Sequence, residues 1–165
     1  MIRTADILLS VCKQLRKKED WDNYEILIDE KTTDELEDTN EETLIKNPCF
    51  SVQIDMLSST NRFKLREKLI NVYIYYINPQ KGDGVSENKL LIMDELTELF
   101  DSSIKINNSK YVPIFRKDYL DNNNTFKMTI KYIDDKSEEN RSISDVWDEL
   151  MEVIKIKYIV KGERD

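Results

Sequence analysis

Apolar positions along the chain follow two periods, and each switch between them marks an element. Ile7, Leu8, Val11, Cys12 and Leu15 recur at three- and four-residue spacing, which predicts an amphipathic helix from Thr4, as N-cap, to about Lys18. Lys13, Arg16, Lys17 and Lys18 crowd its last turns, where cations complement the partial negative charge of a helix C-terminus. Trp21 and Tyr24 lead into Ile26-Leu27-Ile28, a β-branched run that predicts a first strand. From Phe50 the pattern alternates, with Phe50, Val52, Ile54 and Met56 on one face and Ser51, Gln53 and Asp55 on the other, as in a half-buried strand. Ser58 to Asn61 predict a hairpin turn. Arg62, Lys64, Arg66 and Lys68 then fall on every second residue, and Ile70, Val72, Ile74 and Tyr76 continue the same parity. The expectation is one long strand over Arg62–Ile77, with a basic rim at one end and an apolar face at the other, ended by Asn78-Pro79 with Gly82 and Gly84.

Leu90, Met93, Leu96, Thr97 and Phe100 share one face of a second predicted helix. Three strand-like segments follow it: Ile104 and Ile106 around Lys105, Tyr111 to Phe115 with Pro113 marking an edge or bulge, and Phe126, Met128, Ile130 and Tyr132 after a turn at Asn122–Asn124. Asp134 to Asn140 reads as a polar loop, and Ser142 as the cap of a third helix carrying Ile143, Val146, Trp147 and Leu150. From Val153, Ile154, Ile156, Tyr158 and Val160 alternate with lysines, which predicts a terminal strand, while Leu150, Ile154 and Tyr158 also keep the spacing of a longer helix. The order of elements predicts an α+β fold, a mostly antiparallel sheet with two or three helices packed on it. One domain over residues 1–165 is expected, with an acidic loop at 29–47 and a C-terminal extension at 134–165.

Charge changes the picture at one place. The chain of 165 residues carries a formal net charge of -8, and eight acids against Lys31 between Asp29 and Glu42 account for -7 of it. Like charges with only Leu36 to bury predict a mobile, solvated loop there. A calcium loop would need a central Gly, and the segment has none. The overall acidity disfavours nucleic acid and anionic membranes as partners, because both repel it at long range. The longest apolar run, Leu69 to Ile77, is far short of the roughly 20 residues that cross a bilayer, so a cytoplasmic protein is expected.

Little catalytic chemistry is on offer. The sequence contains no His, which removes Ser-His and Cys-His nucleophiles and His-containing zinc sites. Cys12 and Cys49 sit in apolar patterns and are expected to pack as small hydrophobes. Gly82 and Gly84 lie in Lys-Gly-Asp-Gly, which lacks the spacing of a phosphate-binding loop. Tyr73, Tyr75 and Tyr76 have the alternative of stacking bases, but packing is the commoner use of such aromatics. No enzyme, metal or cofactor is expected, and the profile is that of an assembly part.

The N-terminal helix, the Tyr24–Ile28 strand, Pro48-Cys49-Phe50-Ser51-Val52-Gln53-Ile54, the basic-then-aromatic strand Arg66 to Tyr76, the helix ending Glu98-Leu99-Phe100 and the late strand Thr125 to Tyr132 together resemble the phage tail terminator family. These are small α/β proteins of tailed phages and of phage-tail-like particles of Gram-positive bacteria. The resemblance spans about Met1 to Ile133, and the acidic segment and the region after Asp135 exceed the family pattern. It implies a homo-oligomeric ring, usually a hexamer, that caps the head-proximal end of the tail tube, ends its polymerisation and joins it to the neck or head connector. The implied partners are other copies, tube protein, sheath and neck protein, in the host cytoplasm during assembly and in the particle afterwards. Another neck or tail-completion component, or a protein-binding adaptor, is the alternative. The expected contact residues are Arg62, Lys64, Arg66 and Lys68, a positive row with about 7 Å per step, together with Ile154, Ile156 and Tyr158 of the terminal strand. The row is expected to meet carboxylates of a neighbouring subunit or to face a lumen, with a solvated hairpin tip as the plainer reading.

Overall fold

A computed structural model describes residues 2–28, 48–78, 85–108, 110–120, 124–135 and 143–154. Three helices, α1 (Thr4–Leu15), α2 (Val85–Leu99) and α3 (Ile143–Ile154), accompany six strands: β1 (Glu25–Ile28), β2 (Cys49–Arg62), β3 (Leu65–Ile77), β4 (Ser103–Lys105), β5 (Tyr111–Leu120) and β6 (Thr125–Asp135). The strands form one sheet in the order β1-β2-β3-β6-β5-β4. Every pairing is antiparallel except β1 with β2. The fold is the expected α+β arrangement.

Alternation dictates which face is buried. Ile70, Val72, Ile74 and Tyr76 of β3 and Phe126, Met128, Ile130 and Tyr132 of β6 all point to one side and are buried there, each worth about 2 kcal/mol of apolar transfer. Helix α1 lies against that side and buries Ile7, Leu8, Val11, Cys12 and Leu15, the predicted stripe. Trp21 and Tyr24 close one end of the core against Phe50, at ring separations of 4.8 and 5.6 Å. The last turns of α2 pack alongside α1, tied by Gln14 Nε2 donating to the Leu99 carbonyl at 3.0 Å and by a Lys18–Glu95 ion pair at 2.7 Å. No described helix covers the opposite sheet face.

Several local expectations are corrected. Arg3, not Thr4, occupies the N-cap of α1, because the Asp6 carboxylate reaches back to accept the Arg3 N–H at 2.8 Å. The helix stops at Leu15, and a 3-10 turn at Glu19–Trp21 follows. Arg16 does more than complement its own helix end: its guanidinium donates to the Val153 and Ile154 carbonyls of α3 at 3.0 and 3.2 Å, and to the Trp21 and Tyr24 carbonyls at 3.1 and 2.7 Å. In α2 the buried face is Ile92, Met93 and Leu96, continued by Phe100 just past the helix end, leaving Leu90 and Thr97 exposed. Asp134 belongs to β6 and is 4% exposed, accepting the Ile2 N–H at 2.7 Å. The acidic stretch, the glycine pair and the Ser142 cap lie outside the described residues.

Candidate assembly surface

The β2–β3 hairpin carries most of the predicted contact residues, and its geometry redistributes them. Strand β2 runs straight through Ser58–Asn61, where a turn was expected, to Arg62. The chain reverses at Phe63 and Lys64, between the paired residues Arg62 and Leu65. Phe63 takes the left-handed conformation, φ 52°, that this tight reversal demands, and its side chain is fully exposed. A bulge at Leu57 puts Met56 opposite Ile70 but Ser58 opposite Leu69. One extra residue inverts which face every later β2 side chain occupies.

The basic row is therefore split. Arg62, paired with Leu65, lies on the uncovered face, and its charge helps hold the Glu67 carboxyl below its ordinary range, after the stronger effect of Lys131. Lys64 sits in the turn. Arg66 and Lys68 share the helix-covered side with Ile70. Arg66 donates to the Asn61 side chain at 3.1 Å. Lys68 is 4% exposed, donates to the Ile2 carbonyl at 2.7 Å and stands 5.6 Å above the Tyr132 ring. Burial lowers its pKa, against the Asp134 carboxylate that raises it. Lys68 thus fastens the chain's start to the sheet, which the alternation predicted in parity but not in consequence. Ile154 is the last residue of α3, buried and helical, so the expected strand does not begin there. Ile156 and Tyr158 lie outside the described residues.

What projects from the body is a stalk. β3 pairs with β6 along its whole outer half, down to Leu65 opposite Asp135, so the hairpin is braced. β1 pairs with β2 only from Cys49 to Val52. Beyond Val52, no described strand pairs with the outer edge of β2, and such an edge is a template for main-chain pairing. Met56, Leu57, Phe63 and Leu65 stand exposed along this stalk.

The uncovered face is built rather than bare. Tyr73 and Tyr75 stack at 6.3 Å, Lys127 lies 5.9 Å from the Tyr73 ring, and Thr129 donates to Asn71 Oδ1 at 2.9 Å while Asn71 donates to the Tyr73 hydroxyl at 3.2 Å. Lys131 pairs with Glu67 at 2.9 Å and Arg116 with Asp118 at 2.7 Å, so two of the cations on this face already have a carboxylate partner. No group of three or more His, Cys, Asp or Glu suited to a metal ion occurs among the described residues. Burial pushes both thiols, Cys12 and Cys49, up to about 12, which makes them poor nucleophiles. Neither known family models nor curated protein sequences match the chain.

Proposed function

We propose that this protein is a tail terminator, a structural ring, hexameric by the resemblance, that caps the head-proximal end of a phage or phage-tail-like tube. It ends tube polymerisation and presents a surface to the neck or head connector. The observation that carries the reading from geometry is the braced β2–β3 stalk, with an unpaired outer edge among the described residues and an exposed apolar and basic tip. Closing a ring takes a contact between two different patches of the same chain, and a projecting hairpin supplies one of them. The residue pattern from the N-terminal helix through Pro48-Cys49-Phe50 to the strand ending at Tyr132 supplies the identity of the assembly.

The test is tail length. Deleting the gene from its phage or particle is expected to give tubes of irregular, overgrown length, and adding the purified protein to polymerising tube protein should shorten the tubes. Tails of normal length in the deletion strain would refute the reading.

A further inference from the structure

We propose that the cleft between β5 and β6 is a docking site for one extended segment of a partner protein, which adds to the edge of β6 as a strand and carries apolar side chains next to a carboxylate. The site is independent of the terminator reading and stands or falls without it.

The cleft follows from a proline and a bulge. The β5–β6 ladder runs from Leu120 opposite Thr125 to Ile114 opposite Ile130 and stops there, with a register shift at Phe115. Ile114 donates its N–H away from β6, to the Ser102 carbonyl at 2.9 Å. Donors alternate between the two sides of a strand, so the next one toward β6 falls at position 113, and Pro113 has none. Past that point each strand keeps only its other neighbour: residues 111–113 pair with β4, and residues 131–133 pair with β3. No described strand joins the two edges that face each other, and an edge of this kind is a template for main-chain pairing.

The groove between those edges has the size and lining of a peptide site. It holds about 600 Å³, within the roughly 300–1,000 Å³ of ligand sites. Buried Ile2, Val112 and Tyr132 lie on its inner side, and Tyr111, Phe115 and Ile133, all more than half exposed, lie along it in water. Such a concentration of large apolar side chains marks a contact surface. The lining contains Lys131 and no carboxylate among the described residues, and Lys105 stands 6.0 Å from the Tyr111 ring. Lys131 reaches Glu67 at 2.9 Å, yet half of its side chain stays exposed. On an added strand, a residue opposite Tyr132 points inward and its neighbours opposite Lys131 and Ile133 point outward. The segment that fits is therefore apolar on its inner side, with a carboxylate beside the two ammonium groups.

The occupant comes from a different protein. A cleft bounded by a strand on either side admits a single strand. Every described strand of this chain already has a sheet neighbour, so a second copy could enter only by giving up pairing. The start of the chain does not fill the role either. The Ile2 N–H goes to the Asp134 carboxylate at 2.7 Å, and its carbonyl accepts from Lys68 and from the Tyr132 hydroxyl at 2.7 and 3.3 Å.

The probe is a labelled, capped hexapeptide that alternates valine with glutamate, titrated into the full-length protein and followed by fluorescence anisotropy and hydrogen exchange. Saturable binding with a Kd below about 1 mM is expected, with exchange slowed at residues 111–115 and 131–133. A peptide N-methylated at two successive central residues, which loses a donor on each edge, should bind about 10-fold more weakly. Replacing glutamate by lysine should weaken binding about 3-fold or more, and Lys131→Glu should reverse that preference. Should Lys131→Glu fail to fold, Phe115→Glu, at a position 72% exposed, takes its place and should weaken the glutamate peptide by at least as much. No binding up to about 1 mM, equal binding of the N-methylated peptide, or protection confined to other parts of the molecule would each overturn the proposal. Protection of residues 131–133 that rises with protein concentration in the absence of peptide would overturn it in favour of a second copy.

Discussion

Cys12 and Cys49 show how far a single side chain's chemistry depends on what surrounds it. Both thiols have an ordinary value of 9.0 and both are pushed up to about 12, principally by burial, with Arg16 pulling Cys12 slightly back and Glu25 adding to the rise at Cys49. The folded chain therefore keeps two protons that the unfolded chain releases above about pH 9. Their contribution to stability is complete below pH 9 and is lost as the pH climbs toward 12. Urea denaturation in reducing buffer should show stability falling between about pH 9 and 11, and a Cys12→Ala, Cys49→Ala variant should show a shallower fall despite its lower overall stability. An identical slope in the variant would mean that the thiols titrate as freely folded as unfolded. Tyr76, raised to about 12 mainly by burial, contributes in the same direction and remains in both proteins. Their apolar sequence neighbours foretold this inertness. Nothing in the sequence marked Lys68 as the residue that would bury its ammonium under Ile2 and Tyr132.

Elements depend on one another through a few such side chains. Arg16, in the basic run at the end of α1, reaches the final carbonyls of α3 and the carbonyls of the turn that follows α1, so one guanidinium joins three segments. Helix ends leave carbonyls without intrahelical partners, and charged donors satisfy them at about 1.5–3 kcal/mol each when the site is half buried. Arg16→Met, which keeps much of the side-chain volume, should lower stability by about 3 kcal/mol and should raise hydrogen exchange in α3 more than in β3 or β6. A loss spread evenly over the molecule would show that the contact is not specific to α3. The hairpin teaches a related lesson. Each strand's alternation was legible, yet the bulge at Leu57 and the two-residue reversal at Phe63 are choices of pairing, and together they turned an apparent single row of basic residues into two faces and a tip.

At the scale of the whole molecule, the net charge is -8, and on the sheet face that no described helix covers Lys131 and Arg116 are each paired with a carboxylate. Duplex DNA is expected to show no shift with this protein at about 0.15 M salt, where screening has already removed most long-range attraction. A stable complex at that salt would make the Tyr73–Tyr75 face a nucleic-acid surface. By itself, the sequence determined the α+β composition, the three helices, the alternating core of β3 and β6 and the absence of histidine chemistry, because these follow from local period and residue type. Tertiary structure alone decided the strand order, the register around Leu57, the burial of Lys68 and Asp134 and the cleft between β5 and β6. Those features depend on which segments meet across long sequence separations, and a one-residue shift in pairing reverses the face of a side chain without altering the pattern from which it is read.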